Sequence, residues 1–275
     1  MIETLGAEAV DELAHPRTSV MAAIRALAPA TGMRILDAGC GAGTHLGLFA
    51  DAVAPGGTVV GLEVRAERVA LATALHAARI AAGNIQVVAG DLHAIPAGFD
   101  PFDLVWTSLV LHHEPVPIET IRGLARAAKQ GGRIAVMDGD GGGSFPLAPW
   151  PPSLELRLRE AALRTEQEGN SHLPYQFAGY LGRQLPRLLR DAGLIEIQMH
   201  AFADMDRAPL RPARAEILRR WLVDSFGMRL RPHLTPHDWD HFRSLVTAGS
   251  PDDLLTNPDF FLSRTWFLAV GQTAA

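Results

Sequence analysis

Seven residues carry the sharpest chemical signal in the chain: Asp37-Ala38-Gly39-Cys40-Gly41-Ala42-Gly43, a carboxylate followed by glycines at every second position. Glycines between a strand and a helix let the backbone turn tightly and let a ligand approach the main chain. The spacing departs from the G-x-G-x-x-G of dinucleotide sites, which counted from Gly39 would need glycine where Thr44 stands. Two further acids stand at corresponding places. Glu63 ends the next apolar run, where its carboxylate could accept two hydrogen bonds from ribose hydroxyls. Asp91, in Gly90-Asp91-Leu92, follows a third run and could receive an adenine amino group, although Gly-Asp is equally ordinary turn chemistry. Cys40 reads as a small filler of the loop.

Groups suited to moving a proton come later. His112 and His113 follow a fourth apolar run, and imidazole ionises near neutrality. Asp138 and Asp140 follow a fifth; they could orient a substrate hydroxyl or amine, hold a magnesium ion through oxygen ligands, or simply be solvated loop acids. His237 and His241 stand four apart on an expected helix, a spacing that can bind metal. With no Glu after the first histidine, a surface helix is the better reading, and no metal is expected. Arginines 207, 211, 214, 219, 220, 229 and 231 outnumber the local acids, either facing a substrate carboxylate or phosphate or lining a solvated helix face. Tyr175 and Trp221 read as lid aromatics or as core.

These groups need elements to position them. Apolar runs at 33–37, 58–63, 85–89, 102–107 and 133–138 alternate with helical patterns at 44–53, 65–82 and 118–129. That alternation predicts a parallel sheet covered by helices on both faces. After a glycine run and Pro146, Pro149, Pro151 and Pro152, helices are expected over 153–168, with Ser153 as its cap, over 179–192, 211–229, and 236–249, the last opened by Thr235-Pro236. Strands over 194–202 and 260–270 would form a closing antiparallel pair.

Composition bounds the partners. Of 275 residues 48% are hydrophobic and 20% charged, enough for a sizeable core, and 25 basic against 30 acidic residues leave a net charge of −5. That balance argues against a nucleic-acid-binding surface. One cysteine excludes an internal disulfide framework and favours a reducing, cytoplasmic setting. The opening MIETLGAEAVDELAHPR does not read as a signal peptide, and no apolar run approaches the ~20 residues of a membrane-spanning helix.

With those residues in place, the sequence resembles the class I S-adenosylmethionine-dependent methyltransferases, in particular the small-molecule subgroup of ubiquinone and menaquinone biosynthesis. The match runs over 32–140 and resumes weakly at 180–204 and 258–270. The resemblance implies a Rossmann-like seven-stranded α/β sheet, mostly parallel with an antiparallel last strand. It implies S-adenosylmethionine held by Asp37, Gly39, Cys40, Gly41, Gly43, Glu63, Val64, Asp91, Leu92, Trp106 and Thr107. Leu111-His112-His113 matches a segment the subgroup often carries, which makes His113, His112 and Asp138 the catalytic candidates, His113 ahead on alignment. Segments 1–31, 141–177 and 205–257 are left over and read as helical additions covering the substrate within a single methyltransferase domain. The expected activity is in-line transfer of methyl to a small, largely apolar metabolite of secondary or cofactor metabolism. O-, N- and C-methylation stay open, as do the oligomeric state, a homodimer included, and a cyclase or rearrangement enzyme that uses the same cofactor without transferring methyl.

Overall fold

The computed structural model describes residues 17–95, 98–141, 145–169 and 180–274. Tyr175, and parts of 1–31 and 141–177, lie outside them. The chain divides into two compact units, one built from 17–139, 181–202 and 266–274, the other from 140–180 and 203–265.

The first unit starts with α1 (Thr18–Leu27) and then alternates: β1 (Arg34–Ala38), α2 (Leu46–Val53), β2 (Thr58–Glu63), α3 (Ala66–Leu75), α4 (Ala77–Ala81) and β3 (Ile85–Ala89). It continues with β4 (Phe102–Ser108), a 3-10 turn at Leu111–His113, α5 (Pro117–Ala127) and β5 (Ala128–Asp138). After the chain returns, α7 (Leu181–Asp191) precedes β6 (Ile195–Arg207), and β7 (Phe261–Gln272) comes last. The seven strands lie in the order β3-β2-β1-β4-β5-β7-β6. Strands β1 to β5 pair in parallel, and β7 runs antiparallel to β5, with Asp138 opposite Phe267. This is the sheet expected from the sequence. Ile35, Leu36, Leu104, Val105, Ile134 and Val136 are inaccessible whichever face they point to, because helices cover both sides of the central strands.

Three boundaries moved, each for a local reason. The single helix expected over 65–82 is broken between α3 and α4 at His76, whose Nε2 lies 2.8 Å from the Gly43 carbonyl. The helix before β5 stops at Ala127, and Ala128 already pairs with Phe102; Gly131, at φ +70°, lies in the irregular stretch before regular pairing resumes at Arg133. Ser153 does not cap the helix after the prolines: α6 (Pro152–Gly169) starts one residue earlier, with Pro152 at its first position and Pro151 O accepting from Leu154 and Glu155.

The second unit contains α6, α8 (Pro212–Arg220), a π-helical stretch at Trp221–Gly227 and α9 (Pro236–Val246). Thr235 caps α9 as expected, accepting from the Asp238 N–H. Its interior is aromatic: Phe145, Trp150 and Phe242 are buried, and half-buried Trp221 stacks on Phe226 with the Arg264 guanidinium 4.8 Å above the ring. The arginine excess is largely engaged within this unit. Arg214 grips Asp206 through two hydrogen bonds and Arg219 does the same to buried Asp253. Arg220 pairs with Glu216, Arg229 with Glu166, and Arg231 lies over Trp239. These pairings favour the structural reading of the arginines over an anionic substrate.

Candidate active site

Two clusters stand at the carboxyl ends of the parallel strands, where ligands of such sheets bind. The first surrounds the glycine loop. Asp37 ends β1 with its side chain 1% exposed, and its Oδ2 accepts no hydrogen bond. Burial above all, and the nearby Glu63 carboxylate, push its pKa up to about 8. His45 lies 4.0 Å away but forms no ion pair with it. Burial and the charge of Arg17 lower the imidazole to about 3, so it is neutral. Its Nδ1 faces the indole N–H of Trp106 at 3.4 Å, which leaves the ring proton on Nε2. Among the described residues, Asp37 is therefore a buried acid whose Oδ2 has no group to neutralise it.

Glu63 ends β2 and organises the loop. One carboxylate oxygen accepts from the Gly41 N–H and the other from the Arg65 N–H, both at 3.0 Å. The amides of Gly39 and Cys40 donate to Leu62 O, and Gly43 to Cys40 O, closing the turn. Gly39 sits at φ +80°, and a Cβ there would stand 2.6 Å from Val110 Cγ2. Only glycine lets Val110 pack this closely against the loop at that φ.

Trp106 and Thr107 stand behind the loop. The indole is fully buried, edge-on to Phe49, while Thr107 Oγ1 donates to Ala38 O and ties β4 to β1. Cys40 fills the space beside Gly61, its thiol pKa raised by burial and by two neighbouring carboxylates. Val64 is 66% exposed next to Glu63, an apolar surface open to a ligand. Asp91 is exposed and spends Oδ1 on the His93 N–H, the turn chemistry that its sequence also suggested.

The second cluster joins the turn after β4 to the end of β5. Asp138, 2% exposed, accepts from its own neighbour Gly139 N–H and stands 2.9 Å from His112 Nδ1. The His112 backbone N–H also points to it, at 3.3 Å. A buried carboxylate against Nδ1 favours the tautomer with the proton there and the lone pair on Nε2. His113 packs against the same ring, centroids 3.9 Å apart, and has no such orienting acid; burial and the neighbouring His112 lower its pKa. The geometry thus orients His112, where alignment had favoured His113. Asp138 is spent on these contacts. Among the described residues no group of three or more His, Cys, Asp or Glu could hold a metal, and His237 and His241 stand with ring centroids 6.5 Å apart.

Sequence reasoning missed His45 and His76. The signal for both was present, a histidine directly after the glycine loop and another interrupting a helical pattern, but the partners of each lie far along the chain.

Comparison with known proteins gives the family. The chain belongs to the family of the methyltransferase domain, whose model matches residues 29–193, more than half its length. It is 32% identical to the nocamycin O-methyltransferase of Saccharothrix syringae over 82% of this chain and 79% of that protein. It is 31% identical to an uncharacterised 37.1 kDa protein of transposon TN4556 from Streptomyces fradiae, over 67% of this chain and 49% of the relative, so it spans about half that protein's length. Relatives named as ubiquinone and menaquinone biosynthesis methyltransferases align over 39–40% of the chain. The YcgJ protein of Bacillus subtilis shares the fold, with a TM-score of 0.54 at 20% identity over 94% of this chain and 98% of that one. The cofactor of this class is S-adenosylmethionine, and the site fits it. An orphaned buried carboxylate suits a cationic ligand, the glycine loop follows it directly, and Glu63 ends β2 beside it.

Glu63→Gln tests that assignment. An amide must turn its NH2 toward one of the two backbone N–H groups that the carboxylate now accepts from. Calorimetry should show cofactor affinity reduced by about tenfold or more, the order expected for a lost charged hydrogen bond; unchanged affinity excludes the role.

Proposed function

We propose that this chain methylates a small, largely apolar metabolite, with His112 as the base that accepts a proton from the reacting group. The observation that carries this reading is the 2.9 Å contact between His112 Nδ1 and buried Asp138 at the carboxyl ends of β4 and β5. Bound S-adenosylmethionine supplies an activated methyl group, and the protein's own work is to position, exclude water and hold a proton. Asp37, the glycine loop and Glu63 bind and orient the cofactor, with Val64, Asp91 and Leu92 as its further contacts. His112 takes the proton at Nε2, and Asp138 stabilises the resulting imidazolium. His113, held neutral by burial beside it, lines the same place.

A proton-bearing acceptor, of which a hydroxyl is the simplest, gives that base a task, and the name of the Saccharothrix relative points the same way. The aromatic second unit, inserted into the chain directly after β5 and between the ends of β6 and β7, is the part we assign to substrate selection. The excess of acidic over basic residues, a net charge of −5, supports a small molecule over a nucleic acid.

The test is incubation of the protein with cofactor carrying an isotopically labelled methyl group and a panel of apolar hydroxyl compounds. Mass spectrometry should find a labelled product and equimolar S-adenosylhomocysteine. A product formed with the cofactor unconsumed would instead make the sulfonium a fixed charge for cyclisation or rearrangement.

A further inference from the structure

The contact between His93 and Glu114 belongs to neither cluster. His93 follows Asp91 and Leu92 in the loop after β3, and its Nε2 lies 2.8 Å from Glu114 Oε2. Glu114 is the residue directly after the His112-His113 turn, its N–H donating to Leu111 O. The same Oε2 accepts from Thr120 Oγ1 at 2.9 Å, and Thr120 is buried in α5. The loop end of the contact is equally fixed. Asp91 Oδ1 accepts from the His93 N–H, and the Ala94 N–H returns to Asp91 O. Helix α5 runs beside this loop, since a Cβ on Gly123 would stand 3.5 Å from Leu92 O.

Glu114 is thus anchored to a helix at one side and receives the loop's imidazole at the other. Its Oε2 is shared between Thr120 and His93, next to the turn that bears the proposed base. His93 is half-exposed, which makes it the movable member.

We propose that the His93–Glu114 contact is a latch that transmits cofactor seating on the Asp91-Leu92 loop to the His112-His113 turn, with both as positioning residues. This rests on the cofactor reading of the loop given above. A cofactor that orders Asp91 and Leu92 holds His93 against Glu114, and Glu114 holds the end of the turn where His112 meets Asp138. The turn is then firmest when the methyl donor is bound. An empty site keeps its base less rigidly placed.

Amide hydrogen exchange on the full chain, with and without S-adenosylmethionine, tests the latch without knowledge of the substrate. Cofactor should slow exchange in both 91–94 and 111–114. In His93→Ala it should still slow 91–94, while the added protection of 111–114 falls by about fivefold, the worth of one hydrogen bond. His93→Gln, whose side-chain N–H can still donate to Glu114, should restore it. Equal protection of 111–114 in wild type and His93→Ala overturns the latch, as does failure of His93→Gln to rescue, or wild-type protection confined to 91–94. Absence of any cofactor binding by calorimetry would remove the reading beneath it instead, and is distinguished by that measurement alone.

Discussion

Asp37→Asn should weaken S-adenosylmethionine binding by about 10- to 100-fold, the range for losing a charged hydrogen bond, and at the same time make the cofactor-free protein more stable at pH 8. The two effects have one cause. Asp37 Oδ2 is buried and unpartnered, and burial with the Glu63 charge has raised its pKa to about 8 from an ordinary 3.8. Between those values the folded protein holds a proton that the unfolded chain has released. Stability is therefore fully present below about pH 3.8 and is lost as pH rises through about 8, at up to about 1.4 kcal/mol per pH unit within the window. Asparagine cannot ionise and should remove this slope. Cofactor binding should behave in the opposite sense. A cationic ligand selects the carboxylate, so affinity should rise with pH up to about 8, by as much as tenfold per unit, with net release of a proton on binding. Calorimetry of wild type and Asp37→Asn from pH 6 to 9 measures both; a pH-independent wild type would sink the account.

His112→Ala should lower turnover by about 10²–10⁴-fold, the usual contribution of a positioned base, with cofactor affinity within about twofold of wild type. His112 meets Asp138 and His113 at the carboxyl ends of β4 and β5, so the loss belongs to the chemical step. Asp138→Asn should repeat most of the loss. It leaves the shape intact but presents the wrong hydrogen-bonding atom to Nδ1 or the wrong tautomer to the substrate. His113→Ala should cost far less. The labelled-methyl assay measures all three. Loss concentrated in His113→Ala would return the base to the residue that alignment favoured.

Much of this arrangement was legible because it is local. The glycine loop declared itself through φ values that only glycine adopts readily, and Gly39 and Gly43 adopt them at +80° and +84°. The parallel strands were visible as near-continuous apolar runs, since β1, β2 and β4 are covered on both faces, while β3 at the edge keeps only Ile85 fully buried. Thr235-Pro236 opened its helix as written because capping involves residues three apart. Ser153 failed as a cap for the same kind of reason: Pro152 already satisfies the first helical position one residue earlier. The break at His76 could not be seen, because the carbonyl beside it belongs to Gly43, 33 residues away.

The sequence by itself determined the fold class, the glycine loop and the acids that end β1 and β2, for strand period, glycine conformation and turn chemistry are properties of neighbouring residues. Only the tertiary structure decided which histidine is oriented. His112 and His113 are chemically alike and adjacent, and what separates them is a carboxylate that parallel pairing of β4 with β5 delivers from 26 positions along the chain. It also decided that Asp37 Oδ2 is buried without a hydrogen-bond partner among the described residues. Ionisation depends on burial, on Glu63 across the sheet and on a histidine kept neutral by its own burial and the charge of Arg17, and a linear chain specifies none of those distances until it folds.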